Sequence, residues 1–90
     1  MNLVRPKIYH YLSYREFLKD LVAYEKNRTN SKFSYRNFSR LAGLKSISYL
    51  KLVLDGERNL SADTMHGFAK AFKIKGEERE FFELLVNFDQ

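Results

Sequence analysis

Hydrophobic positions recur every three or four residues along most of the chain, which is the period of an α-helix. The first segment, Tyr14 to Arg28, alternates charged residues with six apolar or aromatic ones: Tyr14, Phe17, Leu18, Leu21, Val22 and Tyr24. Ser13 precedes this segment at the position where a serine hydroxyl caps a helix. The polar tract 27–32 then predicts a loop.

Two short helices are predicted next, and a glycine marks the end of each one. Ser34 is the predicted N-cap of the helix YRNFSRLA, which Gly43 ends. Ser46 is the predicted N-cap of a third helix running to about Leu54, with Asp55-Gly56 at its end because glycine tolerates a positive φ.

Two longer apolar patterns complete the chain. Ser61 begins a fourth helix with Met65, Phe68, Ala69 and Phe72 in one stripe. A fifth helix follows Gly76, and three early glutamates complement the positive end of its dipole. Its apolar residues occupy most of its circumference, so we expect it to be covered on more than one side. The prediction is an all-α fold, a compact bundle of about five short helices forming a single domain over residues 1–90.

The second and third helices carry residues suited to a fixed crossing. We expect Ala42 to be small where two helices meet and Leu44 to plug the intervening turn into the core. Leu50 and Val53, three residues apart, are expected to hold the third helix against the second. This geometry turns Ser46, Ile47, Ser48 and Lys51 toward the outside, with Leu52 as a further candidate for that face.

Charge is unevenly distributed along the 90 residues. Residues 1–75 contain 15 Lys and Arg against 6 Asp and Glu, whereas residues 76–90 contain 1 base and 5 acids. From Lys26 to Leu60 there are eight bases and two acids. An anionic partner is therefore expected to meet the first three quarters of the chain.

Several function classes are unsupported by the residues present. The chain has no cysteine, and His10 and His66 have no partners at metal-ligand spacing, so neither a metal nor another cofactor is predicted. No nucleophile is paired with a base, so the chain is not expected to be an enzyme. There is no signal-like or membrane-spanning apolar run, which predicts a cytoplasmic protein with no membrane partner.

The run FSYRNFSRLAGLKSISYLKLVLDGERNLSADTMHGFAKAFKI resembles the helix-turn-helix of lambda-repressor-like (Cro/C1, XRE-type) DNA-binding domains. The resemblance covers about residues 33–75, with the helix-turn-helix at about 34–54, and implies double-stranded DNA as partner, with the third helix in the major groove. It also implies phosphate contacts at Tyr35, Arg36, Arg58 and Asn59, and Lys45 adds charge nearby. The candidate DNA contacts are Tyr35, Arg36, Lys45, Ser46, Ile47, Ser48, Lys51, Arg58 and Asn59.

One feature departs from the usual members of that family. The distance from Gly43 to Gly56 is one residue longer. An extra residue in the turn keeps Leu50 and Val53 inward, whereas a later insertion would bury Tyr49 and Leu52 instead. The turn is the predicted position.

A narrower resemblance extends over nearly the whole chain. The pieces YLSYREFLKD, FSYRNFSRLAG, YLKLVLDGERNLS and FFELLVNF are similar to the N-terminal segments of an uncharacterised bacterial family that carries a larger C-terminal domain of unknown function. The resemblance implies the N-terminal module of a transcriptional regulator. Such a C-terminal domain or a homodimer partner would cover the apolar outer side of the fifth helix, which is otherwise the closing helix of the fold.

The sequence leaves three points open. Only Lys51 on the exposed face has a long donor side chain for bases, so Ile47 and Leu52 could instead make this a protein-protein interaction module. RNA binding is a weaker variant, because the fold has no aromatic sheet for stacking bases. At the N-terminus, Arg5 and Lys7 form a basic arm in a DNA groove, or the segment is a flexible leader, or it packs through Ile8 and Tyr11.

Overall fold

The computed structural model describes residues 4–28 and 30–90, which contain helices and no strand. A short 3-10 turn, Ile8–His10, precedes five α-helices: α1 Tyr14–Asn27, α2 Tyr35–Ala42, α3 Tyr49–Leu54, α4 Ala62–Phe72 and α5 Gly76–Asp89. The radius of gyration is 12.2 Å, close to the roughly 12 Å of a compact domain of this length. The all-α prediction is confirmed.

Local caps explain most of the helix boundaries. The predicted N-caps Ser13, Ser34 and Ser61 each accept a hydrogen bond from the backbone N–H three residues later. Ser61 also donates its own N–H to Thr64 Oγ1 at 2.7 Å, which completes a reciprocal capping box. Gly43 ends α2 with a φ of +71°, a conformation that an L side chain rarely adopts.

The predicted N-cap of α3 was wrong. This helix begins at Tyr49 rather than after Ser46, and Ser48 precedes it without a side-chain cap. The Ser46 hydroxyl instead accepts from the N–H of Ser48 at 3.2 Å. A serine can satisfy a nearby backbone donor in a turn as readily as at a helix end. The connection between α2 and α3 therefore spans residues 43–48.

The register predicted for α3 is confirmed. Leu50 and Val53 are fully buried, whereas Tyr49 and Leu52 are only partly buried. Leu44 packs partly buried against the core, as expected. The inward face of α3 is thus formed by Leu50 and Val53, and the residues ahead of the helix belong to the connection.

A close crossing joins α2 to α4. Ala42 was expected at a crossing of the second and third helices, but its close neighbour is Gly67 of α4: a Cβ atom on Gly67 would clash with the carbonyl oxygen of Ala42. The aromatic rings of Phe38 and Phe68 pack edge to face beside this crossing, with centroids 5.0 Å apart. Small residues on both helices bring α2 close enough for these rings to meet.

The packing of the N-terminal segment and of α5 bears on the predictions made for the two ends of the chain. Ile8 is buried and Tyr11 packs on the core, which is the packing alternative for the N-terminal segment. Arg5 donates to the Phe72 carbonyl at 2.6 Å, so it is held on the protein rather than extended as an arm. On α5 one side is buried, but Leu84 and Phe88 remain 68% and 85% exposed. The expected cover on a second side is absent from the described residues.

Candidate nucleic-acid interface

A shallow open depression lies where the start of α2, the 43–48 connection and α3 meet. It is lined by Tyr35, Lys45, Ser46, Ile47, Ser48 and Lys51. These are six of the nine predicted contact residues, and all except Tyr35 are exposed. The structure therefore brings most of the predicted set together on one surface.

The position of this connection is determined by a buried serine. Ser39 in α2 is 4% exposed, and its hydroxyl donates to the Ser46 carbonyl oxygen at 3.1 Å. The Ser39 carbonyl in turn accepts from the N–H of Leu44 at 2.9 Å. These two bonds attach both ends of the turn to α2, and together they present Ser46–Ser48 outward.

The lining groups can donate hydrogen bonds and contact apolar surface. Lys45 and Lys51 supply ammonium groups, while the hydroxyls of Ser46 and Ser48 are 2.9 Å apart and share a hydrogen bond. Ile47 is 43% exposed between them along the chain. No carboxylate lines the depression, so its charge is positive.

An acidic neighbour moderates one of these charges. Lys51 Nζ lies 3.2 Å from Asp55 Oδ2, one helical turn further along. Both side chains are exposed, and such pairs are worth only about 0.3–0.5 kcal/mol. An incoming anion can therefore replace Asp55 as the partner of Lys51 at small cost.

Tyr35 connects the depression to a further basic side chain. Its ring is partly buried, and Lys26 Nζ of α1 lies 4.9 Å from the ring centroid. A cation over an aromatic face is held there electrostatically. Lys26 thus adds charge at the edge of the depression, a placement that sequence spacing alone did not reveal. Arg36, the next residue of α2, is exposed but does not line the depression.

Arg58 and Asn59 lie beyond the other end of α3 and do not line the depression. Arg58 is exposed, and its Nη1 donates to the Glu57 carbonyl at 2.8 Å. The Asn59 carbonyl accepts from the Tyr49 hydroxyl at 2.6 Å, and its side-chain oxygen accepts from Arg15. Asn59 is exposed but engaged in hydrogen bonds with Tyr49 and Arg15, whereas the Arg58 guanidinium bonds only to the backbone of the adjacent Glu57 among the described contacts.

Arg15 is a residue that sequence reasoning missed. From α1 it donates to the carbonyl oxygens of Val53 and Arg58 and to Asn59 Oδ1. The guanidinium fork suits three acceptors at once. Arg15 stood among ordinary helix-surface charges in the sequence, so no local signal separated it from Lys19 or Glu16.

The described residues contain no group of three or more His, Asp or Glu side chains arranged to hold a metal ion. Within the same residues no helix has the length and apolar content to cross a membrane. No family model matches the chain, and neither a curated protein nor a solved structure matches it. The resemblance to lambda-repressor-like domains therefore stays a prediction.

Proposed function

We propose that this domain binds double-stranded DNA as the N-terminal module of a bacterial transcriptional regulator. The carrying observation is the single depression formed by Tyr35, Lys45, Ser46, Ile47, Ser48 and Lys51, which has two ammonium groups, two exposed serine hydroxyls and no carboxylate. A surface of this composition is suited to a polyanion with polar and methyl groups along its groove.

Phosphate binding would supply most of the affinity. Eight bases face two acids between Lys26 and Leu60, and the segment includes the whole depression. Arg36, next to Tyr35 in α2, and Arg58, in the loop after α3, are both exposed, and their guanidinium groups are suited to backbone phosphates. Each neutralised phosphate releases counterions, which makes such binding depend steeply on salt.

Base reading would come from the start of α3 and the turn before it. The helix has six residues, which corresponds to about 9 Å of length. In helix-turn-helix proteins the N-terminal residues of the second helix reach the base edges. Ser46, Ser48 and Lys51 supply donors, while Ile47 is suited to a thymine methyl. With one long donor, selectivity would depend largely on DNA shape.

A complete operator site would require more than this chain alone. One module of this size covers a half-site, so a two-fold DNA sequence requires a dimer. In our proposal the exposed Leu84 and Phe88 of α5 face either the second copy or a C-terminal domain. Both arrangements leave the depression free for DNA, because its lining comes from α2, α3 and their connection.

Fluorescence anisotropy with a random-sequence duplex tests the proposal. We expect the logarithm of the association constant to fall linearly with the logarithm of salt between about 50 and 200 mM. Lys45→Glu should abolish binding at the upper salt concentration, whereas Lys19→Glu on α1 serves as the charge-matched control. Folded protein that binds no duplex at low salt would contradict the proposal, as would equal losses in the two variants.

The same titration separates positioning contacts from base contacts. Arg36→Gln and Arg58→Gln should weaken all duplexes similarly and make the salt dependence shallower by about one phosphate each. Ser48→Ala and Lys51→Gln should instead change the ranking of a duplex library. A library in which every variant lowers all sequences equally would exclude α3 as the reading element.

A protein-binding surface is the second candidate function. Its support is the exposed Ile47 in the depression and the neutralisation of Lys51 by Asp55. A helical partner with an apolar and acidic face would fit this surface. If this second candidate holds, Ile47→Ser should remove binding of the partner, and the unsubstituted protein should bind no DNA.

A further inference from the structure

A separate cavity of about 190 Å³ lies between the C-terminal parts of α1 and α4 and one side of α2. Its apolar lining, called the floor below, comprises Phe33, Phe38, Leu41, Ala71 and Phe72; Leu41 is 45% exposed, and the three phenylalanines are buried or half-buried. Its rim is basic and consists of Arg5, Arg28, Lys32 and Lys73. None of these residues lines the depression described above.

The rim has an excess of positive charge. Glu25 is the one carboxylate in the lining, and it is already paired with Arg28 at 3.2 Å and Arg5 at 3.8 Å. Lys32 and Lys73 have no ion-pair partner among the described acidic residues. Four cationic groups thus surround one satisfied carboxylate, which leaves the two lysine ammonium groups available to an added anion.

The volume limits what the cavity can hold. An engineered apolar cavity of about 150 Å³ takes up one benzene molecule, so 190 Å³ has room for a single ring or a short alkyl chain. Drug-sized ligands occupy about 300 Å³ or more. A DNA phosphate or an acidic side chain would satisfy the rim but would leave the apolar floor unfilled.

We propose that this cavity binds a small carboxylate with one aromatic or short aliphatic group. The carboxylate lies at the rim against Lys32 and Lys73, and the apolar group rests on Phe33, Leu41 and Phe72. Paired Glu25 holds Arg5 and Arg28 in place at the edge. The inference is independent of DNA binding, because the two sites use different residues.

Amide chemical shifts recorded during titration with sodium phenylacetate test this site. We expect saturable shifts in α2 and at the end of α4, with a dissociation constant of about 1 mM, the ordinary efficiency for so small a ligand. The neutral isostere phenylacetamide should bind about tenfold more weakly, because it lacks the charge that the rim recognises. No saturation by about 10 mM, or equal binding of the amide, would overturn the proposal.

Two pairs of variants assign the binding to the cavity. Leu41→Trp should fill the floor and abolish the shifts, whereas Leu84→Trp, at an exposed position of α5, should leave them unchanged. Lys32→Gln combined with Lys73→Asn should weaken phenylacetate about tenfold, and asparagine suits the positive φ of Lys73. Lys19→Gln combined with Lys70→Gln is the control. Binding unaffected by both cavity variants, or an acidic peptide that binds where phenylacetate does not, would also overturn it.

Discussion

The guanidinium of Arg15 donates to the side-chain oxygen of Asn59 at 2.5 Å, across 44 residues of sequence. The same guanidinium donates to the carbonyl of Val53, near the end of α3, and to the carbonyl of Arg58, in the loop after it. One side chain of α1 thus connects the first helix to the segment that carries Arg58. This contact therefore connects α1 to the end of α3 and to the loop that follows it.

Arg15→Ala should lower the free energy of unfolding by about 1–3 kcal/mol, because hydrogen bonds from a charged group to three acceptors are lost. Arg15→Lys should recover less than half, since an ammonium cannot span the three acceptors as the planar fork does. Urea unfolding followed by circular dichroism measures both values. Lys19→Ala on the same helix is the control and should stay within about 0.5 kcal/mol of the parent. A similar small value for Arg15→Ala would contradict the proposed connection.

Gly67→Ala tests the crossing of α2 and α4. Alanine ordinarily stabilises a helix interior by about 1 kcal/mol relative to glycine. At this position the added Cβ meets the Ala42 carbonyl oxygen, and the backbone shift should reverse the sign to a loss of about 1–3 kcal/mol. Thermal unfolding gives the comparison, with Lys70→Ala as a control at an exposed site of α4. Stabilisation by Gly67→Ala would show that the helices separate at no cost.

Ser39→Ala should separate the position of the turn from overall stability. It removes the hydrogen bond to the Ser46 carbonyl and should cost about 1 kcal/mol. Ser34→Ala removes the cap of α2 and should cost about the same. If the turn presents the DNA contacts, Ser39→Ala should reduce DNA affinity several-fold more than Ser34→Ala at equal fractions of folded protein. Equal affinities measured by anisotropy would remove Ser39 from this role.

Asp55→Asn is expected to strengthen DNA binding. The substitution releases Lys51 from its ion pair and removes a negative charge beside the depression. Because the pair is exposed and screened, the gain should be about two- to fivefold at low salt and should shrink as salt is added. Asp63→Asn, an exposed acid at the start of α4, provides the comparison for net charge alone. Equal gains in both variants would mean that Asp55 does not control Lys51.

Tyr11 predicts a stability change at alkaline pH. Burial and then the hydrogen bond to Asp20 raise the pKa of Tyr11 from 10.0 to about 12. The folded state therefore favours the protonated phenol, and this stabilisation is complete below pH 10 and is lost as the pH rises through about 12. Unfolding free energies across this interval should fall less steeply for Tyr11→Phe than for the parent. Parallel curves for the two proteins would contradict the raised pKa.

Local and periodic features of the fold were predictable from the sequence. Ser13, Ser34 and Ser61 cap the helices that they precede, because a hydroxyl and the N–H three residues later are close in any helix start. The inward positions of Leu50 and Val53 followed from their spacing. Five of the residues that line the depression, Lys45, Ser46, Ile47, Ser48 and Lys51, were predicted as contacts and lie close together in sequence around one turn, whereas Tyr35 was predicted through the family resemblance.

Only the tertiary structure decided how those pieces are held together. The Ser46 hydroxyl was expected to cap a helix, but in the structure it accepts from the N–H of Ser48 in a turn. The Ser46 carbonyl accepts from the Ser39 hydroxyl in the same arrangement. Arg15, Lys26 and Gly67 acquire their roles from residues of other helices, to which they have no fixed relation in sequence. Periodicity and capping depend on backbone geometry within a few residues, so the sequence alone determined the helices and their inward faces. Contacts between helices depend on how whole surfaces pack, so the shape and charge of both sites were decided by the fold.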